Sequence, residues 1–204
     1  MSLFNDDIAK EALLGKFLSA HYLKNNLKAQ RIYDKASQCK GIDLMIEGSD
    51  GIHYKVDEKA QLHYLNEDLP TFALEISYLK DSIVKQGWLF DPSKETEIYA
   101  FVFSIHLASG KTELTDENDI ESCEVIFVNR AKLKAALAKL KIGSDTCISM
   151  SEKLRSSSQA IKLKHFPSGF NFQVSDHLSE IPVNLIVRKT FLKQIGKCFI
   201  FRKQ

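Results

Sequence analysis

The sequence has only four cysteines in 204 residues, and they are scattered as Cys39, Cys123, Cys147 and Cys198. No Cys-x-x-Cys pair and no histidine at zinc-ligand spacing accompanies them, so neither a zinc site nor a disulfide framework is indicated. We expect reduced thiols that are mainly buried. The chain also has no internal repeat and no glycine-rich phosphate loop.

Long hydrophobic runs are missing as well. No apolar stretch approaches the ~18–20 residues of a membrane-spanning helix, and the first seven residues, Met-Ser-Leu-Phe-Asn-Asp-Asp, are acidic. A cytoplasmic protein with no membrane partner is therefore expected. Hydrophobic residues make up 44% and charged residues 26% of the chain. This is typical of an ordinary globular protein with one full core.

The net charge of +2 conceals a marked asymmetry. Residues 1–129 contain 13 Lys and Arg against 22 Asp and Glu, whereas residues 130–204 contain 15 against 4. We therefore predict a core over 1–129 and a basic C-terminal extension over 130–204, packed on the core as one domain. A basic segment favours nucleic acid as the partner, with candidate contacts at Lys162, Lys164, Arg188 and Lys189. The alternative is a solvated surface that balances the acidic half.

Residues 41–61 carry the most informative pattern. Two alternating apolar and polar runs flank Gly-Ser-Asp-Gly, which predicts a β-hairpin. Side chains two apart in a strand share a face. The second run therefore divides into an apolar face and a polar face, the polar one formed by His53, Lys55, Asp57, Lys59 and Gln61. Pairing across the turn would bring Asp43 near Asp57. Two carboxylates and a lysine on one sheet face indicate a divalent-metal site.

This hairpin resembles that of the PD-(D/E)xK nuclease superfamily, with Asp43, then Asp57 and Lys59, and Gln61 where many members keep a glutamine. Ile42 stands in place of the motif's proline. The resemblance covers roughly the first 105 residues as a helix, three strands, a helix and a strand. It implies an α/β (α+β) fold with a restriction-endonuclease-like core, in which a mixed β-sheet is flanked by helices. The basic residues would then form a C-terminal α/β extension.

The resemblance also implies a chemistry. Asp43 and Asp57 would hold Mg²⁺ or Mn²⁺, which prefer oxygen ligands, and the backbone carbonyl of Glu58 would complete the shell. The Glu58 side chain faces the other way and is assigned no ligand role. Lys59 would orient the attacking water or stabilise developing charge. The expected activity is metal-dependent phosphodiester hydrolysis of nucleic acid, as a DNA endonuclease.

The first helix supplies a further candidate. Residues 5–24 are predicted to be helical, with Asn5 or Asp6 as the N-cap and a buried stripe formed by Ile8, Leu14, Gly15, Leu18 and Tyr22. Glu11 falls inside that stripe, where a carboxylate is costly unless it is paired or coordinates a cation. Nuclease superfamily members often place such a glutamate at the site, so the resemblance implies that Glu11 is a candidate supporting ligand. The alternative is a stripe-edge side chain that reaches solvent.

The remaining elements are predicted more coarsely. Residues 37–40 are expected to form a loop, and residues 71–79 a third strand beside the hairpin. A buried strand is predicted over 98–107, another over 124–128, and a helix from Asn129 to about Leu140. Residues 144–169 are expected to be mobile or to track DNA. The end of the chain is predicted to add strands at 170–174, 183–187 and 198–201, with a short helix at Phe191 and Leu192.

Two alternatives to a nuclease stay open. One is a non-catalytic nucleic-acid-binding module on a nuclease-like fold, against which the retention of both acids and the lysine argues. The other is a protein-interaction domain, which would be favoured if the basic side chains were scattered over the surface. In either case the polar face of the hairpin would be exposed to water and would hold no metal. The sequence does not distinguish DNA from RNA, and it leaves the oligomeric state open, a dimer included.

Overall fold

The computed structural model describes residues 3–157, 170–175 and 178–203. Contacts divide the chain into two compact units. Unit 1 comprises Met1–Leu69, Glu95–Arg130 and Gly196–Gln204, and unit 2 comprises Pro70–Lys94 and Ala131–Ile195. This division differs from the expected boundary at residue 129, because residues 70–94 belong with unit 2 and residues 196–204 return to unit 1.

The described residues form five α-helices, one 3₁₀ turn at Glu117–Asp119 and ten strands. The helices are α1 (Leu3–Lys24), α2 (Lys35–Cys39), α3 (Arg130–Lys139), α4 (Ser144–Ser157) and α5 (Lys189–Ile195). The strands are β1 (Ala29–Arg31), β2 (Leu44–Glu47), β3 (His53–Ala60), β4 (Thr71–Lys80), β5 (Ile83–Gln86), β6 (Ile98–Leu107), β7 (Ile120–Asn129), β8 (Phe170–Val174), β9 (Val183–Arg188) and β10 (Lys197–Arg202).

Each unit is built around one sheet. Unit 1 has six strands in the order β1-β2-β3-β6-β7-β10, in which only the β3–β6 pair is parallel. Unit 2 has four antiparallel strands in the order β5-β4-β9-β8. A mixed sheet with accompanying helices confirms the α+β class. None of the described helices combines the length and the apolar character needed to cross a membrane.

The core of unit 1 lies between α1 and one face of its sheet. Leu14, Phe17, Leu18 and Tyr22 of α1 pack against hairpin residues and against β6, β7 and β10. Complete burial of such a side chain contributes ~1.5–3 kcal/mol. Two details of the α1 prediction were wrong. The helix begins at Leu3, before the expected cap at Asn5 or Asp6, and Ile8 is 48% exposed instead of buried.

The predicted hairpin is confirmed as β2 and β3, paired antiparallel with Leu44 opposite Val56. Its turn is closed by the amide of Gly48 donating to Ile52 O at 2.7 Å. The Asp50 carboxylate accepts from the amide of Ile52 and from the Tyr54 hydroxyl. Gly51 adopts φ +76°, a conformation that suits glycine. Val56 and Leu62 of the predicted apolar face are buried, whereas Ile52, which was expected on the same face, is exposed beside the turn.

The prediction of a third hairpin strand at 71–79 was wrong, because β4 belongs to the sheet of unit 2. The neighbour of β3 is β6 instead. Residues 99–103 of β6 are all buried, so this strand is apolar on both faces, as expected for a central parallel strand. Between β4 and β6 the described chain contains β5 and turns but no helix. That departs from the expected order of helix, three strands, helix and strand.

Two segments predicted to be irregular are helical. Residues 37–40 overlap α2, whose N-terminus is capped by Asp34 accepting from the Ser37 amide. Residues 144–157 form α4, and its buried residues Cys147, Met150, Ser151 and Leu154 recur at helical spacing. The rest of that stretch, 158–169, lies outside the described residues.

The other predicted strands and helices were found. Strand β7, helix α3, strands β8, β9 and β10 and the short helix α5 occur where the sequence indicates them. All four cysteines lie in the described part of the chain, and they are thiols that form no disulfide there. Cys123 and Cys147 are buried as expected, but Cys39 and Cys198 are exposed.

Gly196 offers a test of how β10 joins unit 1. A Cβ at this position would lie 2.6 Å from Phe127 O and 2.9 Å from a Val128 methyl group. Because backbone must shift to relieve that contact, we expect Gly196→Ala to lower the free energy of unfolding by about 1–3 kcal/mol, as overpacking does. Urea unfolding followed by circular dichroism measures it.

Gly143→Ala is the control, because a Cβ there meets no atom within 4 Å. We expect its effect to stay below about 1 kcal/mol, the cost of replacing glycine at a helix N-terminus. Equal effects of the two substitutions would show that β10 is not held closely against β7.

Candidate active site

The β2–β3 register brings the two predicted aspartates together. Asp43 immediately precedes β2, and its amide donates to Val56 O at 2.8 Å. Extending the pairing of Leu44 with Val56 by one residue places Asp43 opposite Asp57, on the same face of the sheet. The Asp43 Oδ2 atom accepts from the amide of Glu58 at 2.8 Å. That contact anchors Asp43 to the strand that carries the other two site residues.

Asp57 is 2% exposed and is the most deeply buried of the candidates. Its Oδ1 lies 2.8 Å from Lys59 Nζ, the same-face neighbour two residues along β3. Its Oδ2 is buried and has no hydrogen-bond partner among the described residues. A buried polar group left unsatisfied costs ~1–3 kcal/mol, and more when it is charged. This oxygen therefore needs a proton or a cation.

Asp43 can supply this proton, because its own pKa is raised. Burial, followed by the negative charge of Asp57, raises the pKa of Asp43 to about 7, against the opposing effects of Lys59 and the Glu58 amide. A protonated Asp43 can donate to Asp57. Without a cation, the two aspartates therefore retain a proton at pH values where an ordinary carboxyl has lost it.

Lys59 completes the group. Burial by itself would lower the pKa of Lys59, but the charges of Asp57, Asp43 and Glu11 outweigh that effect and the pKa is raised. The ammonium group is therefore retained at neutral pH. Its side chain is 29% exposed, so Nζ borders solvent while it contacts the buried carboxylate.

Glu11 lies beside this group but not inside the α1 stripe. Its side chain is exposed, which matches the solvent-reaching alternative and corrects the expectation that it is buried. Partial desolvation is nevertheless the main reason why the pKa of Glu11 is raised, with Lys59 opposing and Asp57 reinforcing the shift. Glu11 therefore borders the candidate site from its solvent side.

Gln61 follows the end of β3 and is half-buried, and its backbone N–H donates to Val102 O at 3.3 Å. Two of the four expected nucleic-acid contacts are described by the structure, and both belong to unit 2. Arg188 ends β9 and Lys189 begins α5, both in unit 2. Lys162 and Lys164 fall outside the described residues.

Sequence reasoning missed a second charged cluster, on the core side of β3. The Glu58 carboxylate accepts from Arg31 Nη1 at 2.6 Å and from the Tyr22 hydroxyl at 2.7 Å. Arg31 also donates to Gly15 O and to the Ser19 hydroxyl, so it is not free to contact a substrate. The sequence did contain a signal for this cluster. The two-residue period of β3 places Glu58 on the apolar face, and a buried carboxylate requires a cationic partner.

This cluster is tightly packed. The side chains of Arg31 and Glu58 are 19% and 11% exposed. Burial, followed by the charge of Glu58, raises the pKa of Tyr22 well above its ordinary value. A Cβ on Gly15 would meet the Arg31 guanidinium carbon at 3.2 Å, so a glycine lets the arginine approach α1.

The donor set suits some metals better than others. Among the residues that the structure describes, no group of three or more His, Cys, Asp or Glu side chains is arranged to hold a metal ion. Mg²⁺ commonly uses one or two carboxylates and keeps several waters. Paired aspartates with one orphaned buried oxygen fit such a cation, whereas a structural zinc site needs four protein ligands.

Comparisons with protein-family models, with curated proteins and with solved structures each found no match to this chain. What this site does therefore follows from its own contacts and charges.

Replacing one partner of the Arg31–Glu58 pair tests the core cluster. We expect Glu58→Gln to lower the free energy of unfolding by about 2–4 kcal/mol, because it leaves a buried guanidinium without its counter-charge. The double variant Arg31→Met/Glu58→Leu should recover most of that loss. Urea unfolding measures both.

Glu47→Gln is the matched control, since Glu47 pairs with the largely exposed Lys28 at 2.6 Å. An exposed pair contributes at most about 1 kcal/mol. A loss of similar size in Glu47→Gln and Glu58→Gln would contradict the importance assigned to the buried pair.

The Asp43 pKa predicts how stability depends on pH. A carboxyl with a pKa raised from 3.8 to about 7 binds its proton more tightly in the folded state. Its contribution to stability therefore falls as pH rises through that window, by up to ~1.4 kcal/mol per pH unit. We expect Asp43→Asn, measured without metal by urea unfolding at pH 4–8, to lose less stability over this range than the wild type. Parallel curves would show that Asp43 ionises normally.

Proposed function

We propose that unit 1 hydrolyses phosphodiester bonds of nucleic acid with the help of a divalent cation, and that DNA is its substrate. The observation that carries this proposal is Asp57, a buried carboxylate with one oxygen unsatisfied, opposite Asp43 and in contact with Lys59. A cation beside the two aspartates would satisfy that oxygen and replace their shared proton. Such chemistry agrees with the resemblance of this hairpin to the PD-(D/E)xK nucleases.

Asp43 and Asp57 are the side chains that would hold the cation, with the Glu58 carbonyl as a further ligand and Glu11 as an outer one. Mg²⁺ or Mn²⁺ fits because the ligands are all oxygens. When bound, such a cation supplies Lewis-acid activation of water and neutralises negative charge on the phosphate.

Lys59 has a separate task. Its retained ammonium can donate hydrogen bonds to the attacking water or to the phosphate oxygen on which charge develops. Its contact with Asp57 Oδ1 restricts where Nζ can lie, so the donor is positioned before substrate arrives.

A non-catalytic nucleic-acid-binding module is the second candidate function. Two observations favour it: the described residues hold no three-ligand metal group, and positive charge is concentrated in unit 2. Unit 2 contains 14 Lys and Arg against 7 Asp and Glu, whereas unit 1 contains 14 against 19. In that case unit 1 would be a scaffold, and binding would depend on salt but not on divalent cations.

Calorimetry with Mn²⁺ and Mg²⁺, combined with cleavage of plasmid DNA, single-stranded DNA and RNA, tests the catalytic proposal. We expect the wild type to bind metal and to cut, and Asp57→Asn to lose both. Lys59→Gln should keep metal binding but cut about 10²–10³ times more slowly, since removing one transition-state donor has that effect.

Glu47→Gln controls for removal of an unrelated carboxylate and should retain both properties. Absence of metal binding by the wild type would overturn the catalytic proposal. Metal binding without cleavage of any of the three substrates would favour the non-catalytic module.

A further inference from the structure

A groove of about 460 Å³ lies within unit 2, beside the C-terminal end of α3 and along α5. Its volume falls in the range of ~300–1,000 Å³ that is usual for ligand pockets. Six of the residues that line it matter for its chemistry: Lys139, Leu140, Phe170, Arg188, Phe191 and Gln194. None of them belongs to the candidate active site.

The floor of the groove is aromatic. Phe170, the first residue of β8, and Phe191 of α5 meet edge to face, with ring centroids 5.0 Å apart and planes at 77°. Both side chains are half-buried, and so is Leu140 beside them. The groove therefore exposes apolar ring surface that the described residues do not fully cover, and the two rings pack against each other.

The rim is polar and cationic. Lys139, Arg188 and Gln194 are exposed, and no carboxylate is among the described residues that line the groove. The surrounding unit has twice as many basic as acidic residues. An apolar floor with a positive rim complements a ligand that joins flat apolar groups through an anionic backbone.

We propose that this groove binds single-stranded nucleic acid. One base packs against the Phe170 and Phe191 rings, Gln194 meets polar base atoms, and Lys139 and Arg188 contact the flanking phosphates. Sequence-independent binding of single strands combines these two elements, aromatic surfaces for the bases and a cationic path for the backbone.

Single-stranded nucleic acid fits better than the alternatives. An apolar peptide would leave Lys139 and Arg188 without counter-charges, and a duplex keeps its bases stacked inside, where they cannot reach the rings. This proposal does not depend on cleavage in unit 1. Binding is measured in EDTA, so failure of the catalytic proposal and failure of this one are separate results.

The experiment compares two strands of equal charge. Fluorescence anisotropy of the full chain in EDTA measures the affinity for a 12-residue oligothymidylate and for an abasic 12-mer. We expect the wild type to prefer the strand with bases by about tenfold or more, because stacking of one base contributes that much. Phe191→Leu, which keeps apolar volume but removes the ring, should reduce the preference to within about twofold.

Charge variants test the rim. Lys139→Gln and Arg188→Gln should each weaken oligothymidylate binding by about fivefold and lower the slope of log K against log salt by ~0.7 per lost phosphate contact. Lys85→Gln is the matched control. It removes an exposed lysine of the same unit from β5, at the opposite edge of the four-stranded sheet from β8.

Three results would overturn the proposal. The first is equal affinity of the wild type for the abasic strand and the strand with bases. The second is an effect of Lys85→Gln as large as that of the two rim variants. The third is displacement of the oligonucleotide by an oligoglutamate peptide of equal charge and at equal concentration, which would identify an acidic-peptide or general polyanion surface.

Discussion

The buried contact between Arg31 and Glu58 is the constraint on which the candidate site depends. It ties β1 to β3, and through Gly15, Ser19 and Tyr22 it ties both strands to α1. A buried ion pair is not by itself a large source of stability, because desolvation offsets much of the attraction. Its effect here is on register. Sliding β3 by one residue would turn Asp57 toward the core and would turn Glu58 away from Arg31.

The consecutive carboxylates of Asp57 and Glu58 on β3 consequently differ in how their oxygens are satisfied. Both Glu58 oxygens accept hydrogen bonds from Arg31 or Tyr22, so this residue is satisfied by the protein alone. Asp57 has one oxygen near Lys59 and another without a partner in the described structure. Burial and charge are similar for the two residues. The unsatisfied oxygen suits Asp57 to bind a proton or a cation, whereas Glu58 stabilises the fold.

Local patterns in the sequence predicted the hairpin, the opposed faces of β3 and the buried strand β6. Two-residue alternation and apolar runs depend only on residues that are close together in the chain. The convergence of Asp43 and Asp57 followed from the hairpin turn. Partners far apart in sequence were not accessible in this way. The alternation of β4 indicates a strand but not which sheet it joins, and the pairing of Arg31 with Glu58 depends on the placement of β1 beside β2. Helix α4 was missed because its serines concealed a helical stripe.

The interleaving of the two units bears on how the protein folds during synthesis. Strand β10 pairs with β7 in unit 1 but follows the whole of unit 2 in the chain. A ribosome therefore releases the α1 and β1–β3 segment long before the strand that covers β7. Until β10 emerges, β7 presents an unpaired edge with buried-type residues such as Val125 and Ile126, and such an edge is prone to pair with other chains. All four strands of the unit 2 sheet precede β10 in the chain, so unit 2 can complete its own sheet while that edge of β7 is still open.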